Sequence, residues 1–417
     1  MKVLFIILQV ALEIFSRDPN LAAGNLCGYF PQDTVVSEAP KGYTPFYISH
    51  IARHGSRYLG SSSAASFQAA DTLALYEEKG LLTEDGLALM EDLRMMREMS
   101  KGHYGALTEL GALEHRQICA RMVRHYPEVF SDGKRTRADA YSTDVPRVIA
   151  SMDSFLAELS DRAPEISVSV NKTKWGKGKS QEVTGWPLSK DQKKEVEATE
   201  KALYKIGREV RKGYDFHCFA AKIFTEPLKV PYATVKYLAN ASFKSLKTGR
   251  VTDPDRMPGM GKYFTASELY SLWVGNGFYW YRNLERPGFT SICAATRGRG
   301  ILECIVTDAD AAIAAKSPVA ATFRFSHDTY LLPVMAAIPL EGTVLEGPDG
   351  KIFDQFQDFN FVCPACNVQL IFYRNKRGNV LVKFLLNEKE TLIHGLKPKT
   401  GCYYEWDAVK RWVSARK

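Results

Sequence analysis

Two hydrophobic periods alternate along this chain. Residues 43–52 (YTPFYISHIA) form a continuous apolar, aromatic and β-branched run that stops at Arg53-His54-Gly55, which reads as a buried strand ending in a turn. Val319–Ser326 (VAATFRFS) has the same character and stops at His327-Asp328. Residues 138–142 are a shorter strand candidate, and 166–170 alternate as a strand should. Residues 367–373 and Val380–Leu386 flank a polar stretch containing Gly378, and together they predict a β-hairpin.

Between these runs the spacing is helical. The segments LTEDG (82–86) and LTELG (107–111) are alike, and each precedes an amphipathic stretch. Thr83 and Thr108 are therefore expected to cap helices over 86–99 and 111–125. Thr143 or Asp144 is expected to cap a further helix running to Ser160, with Pro146 in its first turn. Residues 171–179 read as a Lys/Gly-rich loop and 189–211 as a strongly charged helix, and the chain stays mainly helical to about residue 316. The order of elements predicts the α/β class: a parallel-sheet, three-layer core with an inserted α-helical subdomain. On this reading the core comprises 25–165 and 316–417, and 166–315 form the insert.

Composition narrows the class without fixing the function. The chain has 417 residues, 45% apolar and 12% aromatic, enough for a sizeable core and too apolar for a disordered chain. Its formal charge of +8 suggests a positive cleft for a small anionic ligand and is too weak a bias to imply nucleic acid. A nucleic-acid binder would also interleave stacking aromatics with a basic face. No apolar run is long enough for an integral membrane span.

At the N-terminus Lys2 precedes an apolar stretch over 3–15, broken by Gln9 and Glu13, and small residues follow at Ala22-Ala23-Gly24. This is the layout of a secretory signal peptide over 1–24, implying a secreted or periplasmic protein; an amphipathic first helix of the fold is the alternative. Eight cysteines are compatible with pairing in an exported chain, but their connectivity is not readable. Cys363-Pro-Ala-Cys366 has metal-knuckle spacing without a second ligand pair.

The candidate chemistry gathers at strand ends, where open α/β sheets collect ligands. Arg53, His54 and Arg57 follow the first strand, Arg147 follows the strand near 142, and His327 and Asp328 follow the strand at 319–326. A phosphomonoester dianion calls for planar, multidentate cationic donors, which Arg supplies better than Lys. It also calls for a nucleophile and a proton donor for the departing alkoxide; His54 and Asp328 suit those roles. Lys172, Lys174, Lys177 and Lys179 read as a solvated loop, as do Lys134, Arg135 and Arg137. His50, His103, His115, His125, His217 and His394 show no metal-binding spacing and read as structural.

RHGSR (53–57), with HD at 327–328, resembles the RHGxR and HD motifs of the histidine acid phosphatases, clade 2 of the histidine phosphatase superfamily. The segment STDVPR (142–147) resembles that family's middle Ser-Thr-x-x-x-Arg element. LTELG with His115, Arg116 and Arg121 resembles the segment leading into its long helix. The resemblance covers the chain after about residue 40. RHGSRY, LTELG and the C-terminal LLNEKE and YYEW are most similar to the branch of bacterial multiple inositol-polyphosphate phosphatases and phytases. Two positions depart from the family: Leu59 stands where RHGxRxP has Pro, and Asp328 stands where the inositol-polyphosphate branch often has the Glu of His-Ala-Glu.

The resemblance implies a phosphomonoester hydrolase acting on phytate-like inositol polyphosphates. His54 would be the phosphohistidine nucleophile and Asp328 the proton donor, with Arg53, Arg57, Arg147 and His327 on the phosphate oxygens. It implies no metal and no other cofactor, because arginines neutralise the charge that a metal handles elsewhere. A general acid phosphatase or sugar phosphatase, and a catalytically silent phosphate-binding protein, remain alternatives.

Overall fold

The computed structural model describes residues 13–29, 36–173, 180–211, 215–253, 255–284, 291–314, 317–345 and 356–415. The first strand, β1 (Tyr43–Arg53), is buried from Pro45 to its end, as its unbroken apolar run requires. β2 (Arg137–Thr143), β3 (Ser167–Thr173) and β4 (Val319–Ser326) follow, and then β5 (Asn367–Asn375), β6 (Val380–Leu386), β7 (Lys389–Thr391) and β8 (Tyr404–Glu405). The sheet order is β3-β2-β4-β1-β5-β6-β7, with β8 also on β6. The pairs β3–β2, β2–β4 and β4–β1 are parallel. β5 pairs antiparallel with β1, and β6 with β5. The fold is α/β as expected, but its sheet is mixed rather than wholly parallel. The β5–β6 hairpin lies where the sequence places it and extends the parallel half by antiparallel addition.

Ser167–Thr173 pairs with β2 and forms one edge of the sheet, so the helical stretch begins after it. That stretch includes Lys190–Arg211, Tyr232–Thr252, Ala266–Gly277 and Arg299–Ile313. Thr83 and Thr108 cap as expected: their Oγ1 atoms accept from the Gly86 and Gly111 N–H groups at 3.0 and 3.1 Å. The capping expectation after β2 fails. Val145 precedes the Pro146–Arg162 helix and no side chain caps it. Pro146 removes one donor that a cap would satisfy, and the Thr143 hydroxyl is engaged instead with His327.

Residues 13–29 are part of the packed body. Phe15 is buried against the rings of Trp273 and Phe359, and Ala22, Ala23 and Leu26 are buried in the turns of Pro19–Leu26. None of the eight cysteines is paired. In β4, buried Arg324 is neutralised by Glu182 and Asp308, which makes it a structural cation beneath the site.

Candidate active site

Strand order explains why the three motifs meet. β2, β4 and β1 are adjacent and parallel, so their carboxyl ends lie side by side at roughly 4.8 Å per strand. Arg53 and Ser326 are register partners at the ends of β1 and β4. The His54 N–H donates to Ser326 O at 3.0 Å, which ties the RHGSR loop to the strand that delivers His327 and Asp328. On its other side, His54 O accepts from Ala365 N at 3.0 Å. The backbone at His54 is thus clamped between the end of β4 and the turn that precedes β5.

The His54 ring has a defined polarity. Nδ1 lies 2.9 Å from Gly55 O, and a carbonyl only accepts, so Nδ1 carries the proton. Nε2 then holds the lone pair. Burial, followed by the charges of Arg53 and Arg147, holds the imidazole well below the usual histidine range and keeps it neutral. The His327 ring stands 5.6 Å away, nearly perpendicular, with its Nε2 3.3 Å from Thr143 Oγ1. Burial and then Arg147 lower His327 to about 4, so it is also neutral near pH 7.

Arg53 is fully buried and held at three points. Its Nη1 donates to Asn25 O and Val362 O, both at 2.6 Å, and its Nη2 pairs with Asp328 Oδ2 at 2.9 Å. Asp328 also takes a 3.4 Å contact from Asn25 Nδ2, while its other oxygen accepts from the Thr329 N–H. Arg57 donates to Tyr58 O at 2.9 Å. Burial, together with the charges of Arg53 and Arg147, lowers Arg57 to about 10. Burial and Arg53 likewise lower Arg147. The Nε groups of Arg53, Arg57 and Arg147 are buried and have no partner among the described residues. Three guanidinium groups brought together in this way, two of them lowered by burial and then by the charge of Arg53, suit an anion of high charge density.

All six candidate residues, Arg53, His54, Arg57, Arg147, His327 and Asp328, are therefore gathered at one end of the sheet. Lys172, expected in the Lys/Gly-rich loop, instead lies in β3, exposed and 3.8 Å from Asp153, whereas Lys174, Lys177 and Lys179 lie outside the described residues. His50 and His115 are buried among Phe155, Phe323 and Phe325, in keeping with structural roles.

The structure adds residues that sequence reasoning missed. Glu114 is buried, and its carboxylate accepts from the Ser56 N–H at 2.8 Å, the Ser56 hydroxyl at 2.6 Å and the Tyr29 N–H at 3.0 Å. Burial raises its pKa, while those hydrogen bonds and the Arg53 charge oppose the rise. Ser151 accepts from the Gly55 N–H at 3.1 Å and donates to Arg147 O at 2.8 Å, linking the loop to the helix that carries Arg147. The LTELG turn docks directly on the loop. Thr108 donates to Ser56 O through both N–H and hydroxyl, Tyr58 N–H donates to Ala106 O, and Arg57 bridges to Leu107. Gly55 and Gly111 are pressed together there: a Cβ on Gly55 would lie 2.4 Å from Gly111 O, and one on Gly111 2.2 Å from Ser56 O.

Comparison with known proteins places this arrangement. No family model matches the chain, and no curated protein matches it by sequence. Among solved structures, the Bifidobacterium longum multiple inositol polyphosphate phosphatase, in complex with inositol hexasulfate, superposes with a TM-score of 0.74 at 17% identity. That match covers 94% of this chain and 97% of the other. The chain has the fold of the inositol-polyphosphate phosphatases. A phytase from D. castellii matches with a TM-score of 0.69 at 12% identity, covering 95% of this chain and 85% of its own. Klebsiella sp. phytase matches at 0.52 and 12% identity, over 90% and 96%. Mutual coverage this complete means that the helical region and the sheet are shared together.

Proposed function

We propose that this protein is a phosphomonoester hydrolase acting on inositol polyphosphates of the phytate type through a phosphohistidine intermediate. The observation that carries the proposal is the His54 ring, with Nδ1 fixed on Gly55 O and neutral Nε2 left to a pocket bounded by three arginines. In the first step Nε2 attacks phosphorus, the P–N bond forms and the P–O bond to the inositol oxygen breaks. Asp328 gives its proton to that oxygen as it leaves. In the second step water attacks the phosphohistidine, giving its proton to Asp328 and releasing orthophosphate from His54. Arg53, Arg57 and Arg147, with His327, stabilise the equatorial oxygens throughout, a role that metal ions fill in many other phosphoryl-transfer enzymes.

The fold shared with a phosphatase crystallised on inositol hexasulfate supports the substrate class. Rapid quenching with a phosphorylated substrate should trap an acid-labile label on the enzyme, and His54→Ala should lose both label and turnover. Normal labelling of that variant would overturn the nucleophile assignment. Phosphate release from phytate, glucose 1-phosphate and an aryl phosphate, compared side by side, decides the substrate class. Preference for either of the last two would return the protein to the general or sugar phosphatases.

We also propose export, carried by Lys2 and the apolar stretch at 3–15. The burial of Phe15, Ala22 and Ala23 favours a second reading of residues 13–24, as a retained part of the fold. No helix among the described residues is long and apolar enough to cross a membrane. N-terminal sequencing of protein recovered outside the cytoplasm distinguishes removal of 1–24 from retention.

A further inference from the structure

Asn25 belongs to none of the motifs above, yet it reaches the proposed proton donor from the far end of the chain. Its Nδ2 lies 3.4 Å from Asp328 Oδ2, the oxygen that also pairs with Arg53 Nη2 at 2.9 Å. Asp328 Oδ1 accepts from the Thr329 N–H at 2.8 Å. The carboxylate is therefore oriented by a cation, a backbone amide and one neutral side chain, and that side chain is Asn25.

The backbone of Asn25 is fixed independently of its side chain. Its carbonyl accepts from Arg53 Nη1 at 2.6 Å, and its N–H donates to Asp358 Oδ2 at 3.1 Å. Asp358 is buried and also accepts from Trp273 Nε1 at 2.7 Å. Gly24 makes this approach possible: its φ is 59°, and a Cβ there would lie 2.4 Å from Asp358 Oδ2. Earlier in the segment, Phe15 packs on Trp273, and Asn20 Oδ1 accepts from the Met260 N–H at 3.2 Å. The carboxamide of Asn25 thus arrives at Asp328 from a backbone that is already locked.

We propose that Asn25 is a positioning residue for the proton donor, donating to Asp328 Oδ2 as negative charge develops there on transfer of the proton to the leaving oxygen. The assignment rests on the reading of Asp328 as that donor and extends it. The charged and titratable groups within electrostatic reach of Asp328 are Arg53, Arg57 and Arg147 from the strand ends, Arg282 from the helical region, His327 beside it and the Cys366 thiol. Four of these are arginines, which already favour the ionised carboxylate. A carboxamide suits the remaining position because it directs an N–H at the oxygen without adding a further cation.

The test follows kcat and kcat/KM against pH in the full-length enzyme and its variants. The substrates are 4-nitrophenyl phosphate and whichever of phytate and glycerol 2-phosphate the enzyme hydrolyses faster. Asn25→Ala removes only the carboxamide and keeps the backbone contacts to Arg53 and Asp358. It should lower kcat on the alkyl phosphate about tenfold and on the aryl ester less than about twofold, with KM little changed. On the alkyl phosphate the basic limb of its kcat/KM profile should move to higher pH by about half a unit, because a donor to the carboxylate favours the ionised form and its loss favours the protonated one. Asn25→Asp has the shape of asparagine and places a like charge beside Asp328, so it should move that limb further the same way and gives the readout even if the alanine variant is unstable. Asn20→Ala removes a contact of the same segment with Met260 and should change neither the substrate ratio nor the limb. If the Asn25 variants slow both substrates equally, or leave the limb in place, the assignment is overturned. Asp328→Asn, measured alongside, separates the two readings: equal losses on both substrates there remove Asp328 as the donor, and this assignment falls with it.

Discussion

Arg53 holds Asp328 across the site, Nη2 to Oδ2 at 2.9 Å, while its Nη1 is fixed by two backbone carbonyls. One rigid guanidinium therefore aligns the proposed proton donor and faces the proposed phosphate site. A nitrophenolate leaves readily without a proton, whereas an inositol alkoxide does not. Asp328→Asn should therefore lower kcat on alkyl phosphates by about 10² to 10⁴ and on 4-nitrophenyl phosphate by much less. Equal losses on the two substrates would mark Asp328 as a support for Arg53 and not as the acid.

Arg147 reaches the same site from a different strand end, and its charge is felt by both His54 and Arg57. In its proposed role on the phosphate, loss of the Arg147 charge-assisted contact should lower kcat/KM by about two orders of magnitude or more. Arg147→Ala should also weaken competitive inhibition by inorganic phosphate. Steady-state kinetics with a phosphate titration checks both effects.

Glu114 supports the RHGSR loop through Ser56. Alanine there strands the Ser56 and Tyr29 N–H groups in a buried setting, at about 1–3 kcal/mol for each group left unsatisfied. Glutamine does not repair the loss, because both carboxylate oxygens receive N–H donors and an amide NH2 would oppose one of them. Both variants should unfold at lower urea concentration than wild type. Both should also lose kcat more than KM, because the loop that carries the proposed nucleophile is loosened.

His50 and His115 give stability a defined pH dependence. Burial lowers each to about 3, whereas the unfolded chain protonates its histidines near pH 6.5. Between those values the unfolded state binds more protons, so stability falls as pH drops from about 6.5, by at most about 1.4 kcal/mol per pH unit for each histidine. His50→Leu should flatten the decline in urea midpoint between pH 6.5 and 4.5. An unchanged slope would show that other groups govern acid unfolding.

What the sequence disclosed follows the range of the interactions. β1, β4 and the β5–β6 hairpin announce themselves through unbroken or alternating apolar runs, and Thr83 and Thr108 through their spacing to the glycines they cap. The candidate residues were legible because Arg53 closes β1 and His54, Arg57, Arg147, His327 and Asp328 follow strand ends. Asn25 was not, because nothing local distinguishes it and its contact with Asp328 spans 303 residues. Glu114 looked like any charged residue on a helix until the RHGSR loop was laid over it. The expected cap after β2 failed for the same reason: Thr143 is drawn into a long-range contact with His327 that local rules do not register.

The mutual contact of Gly55 and Gly111 makes RHGSR and LTELG two halves of one machined part. A side chain at either glycine would drive the two backbones apart and tilt the ring of His54. Transplanting the RHGSR loop onto another scaffold, or shuffling segments among distant proteins of this fold, should therefore succeed only when both segments travel together.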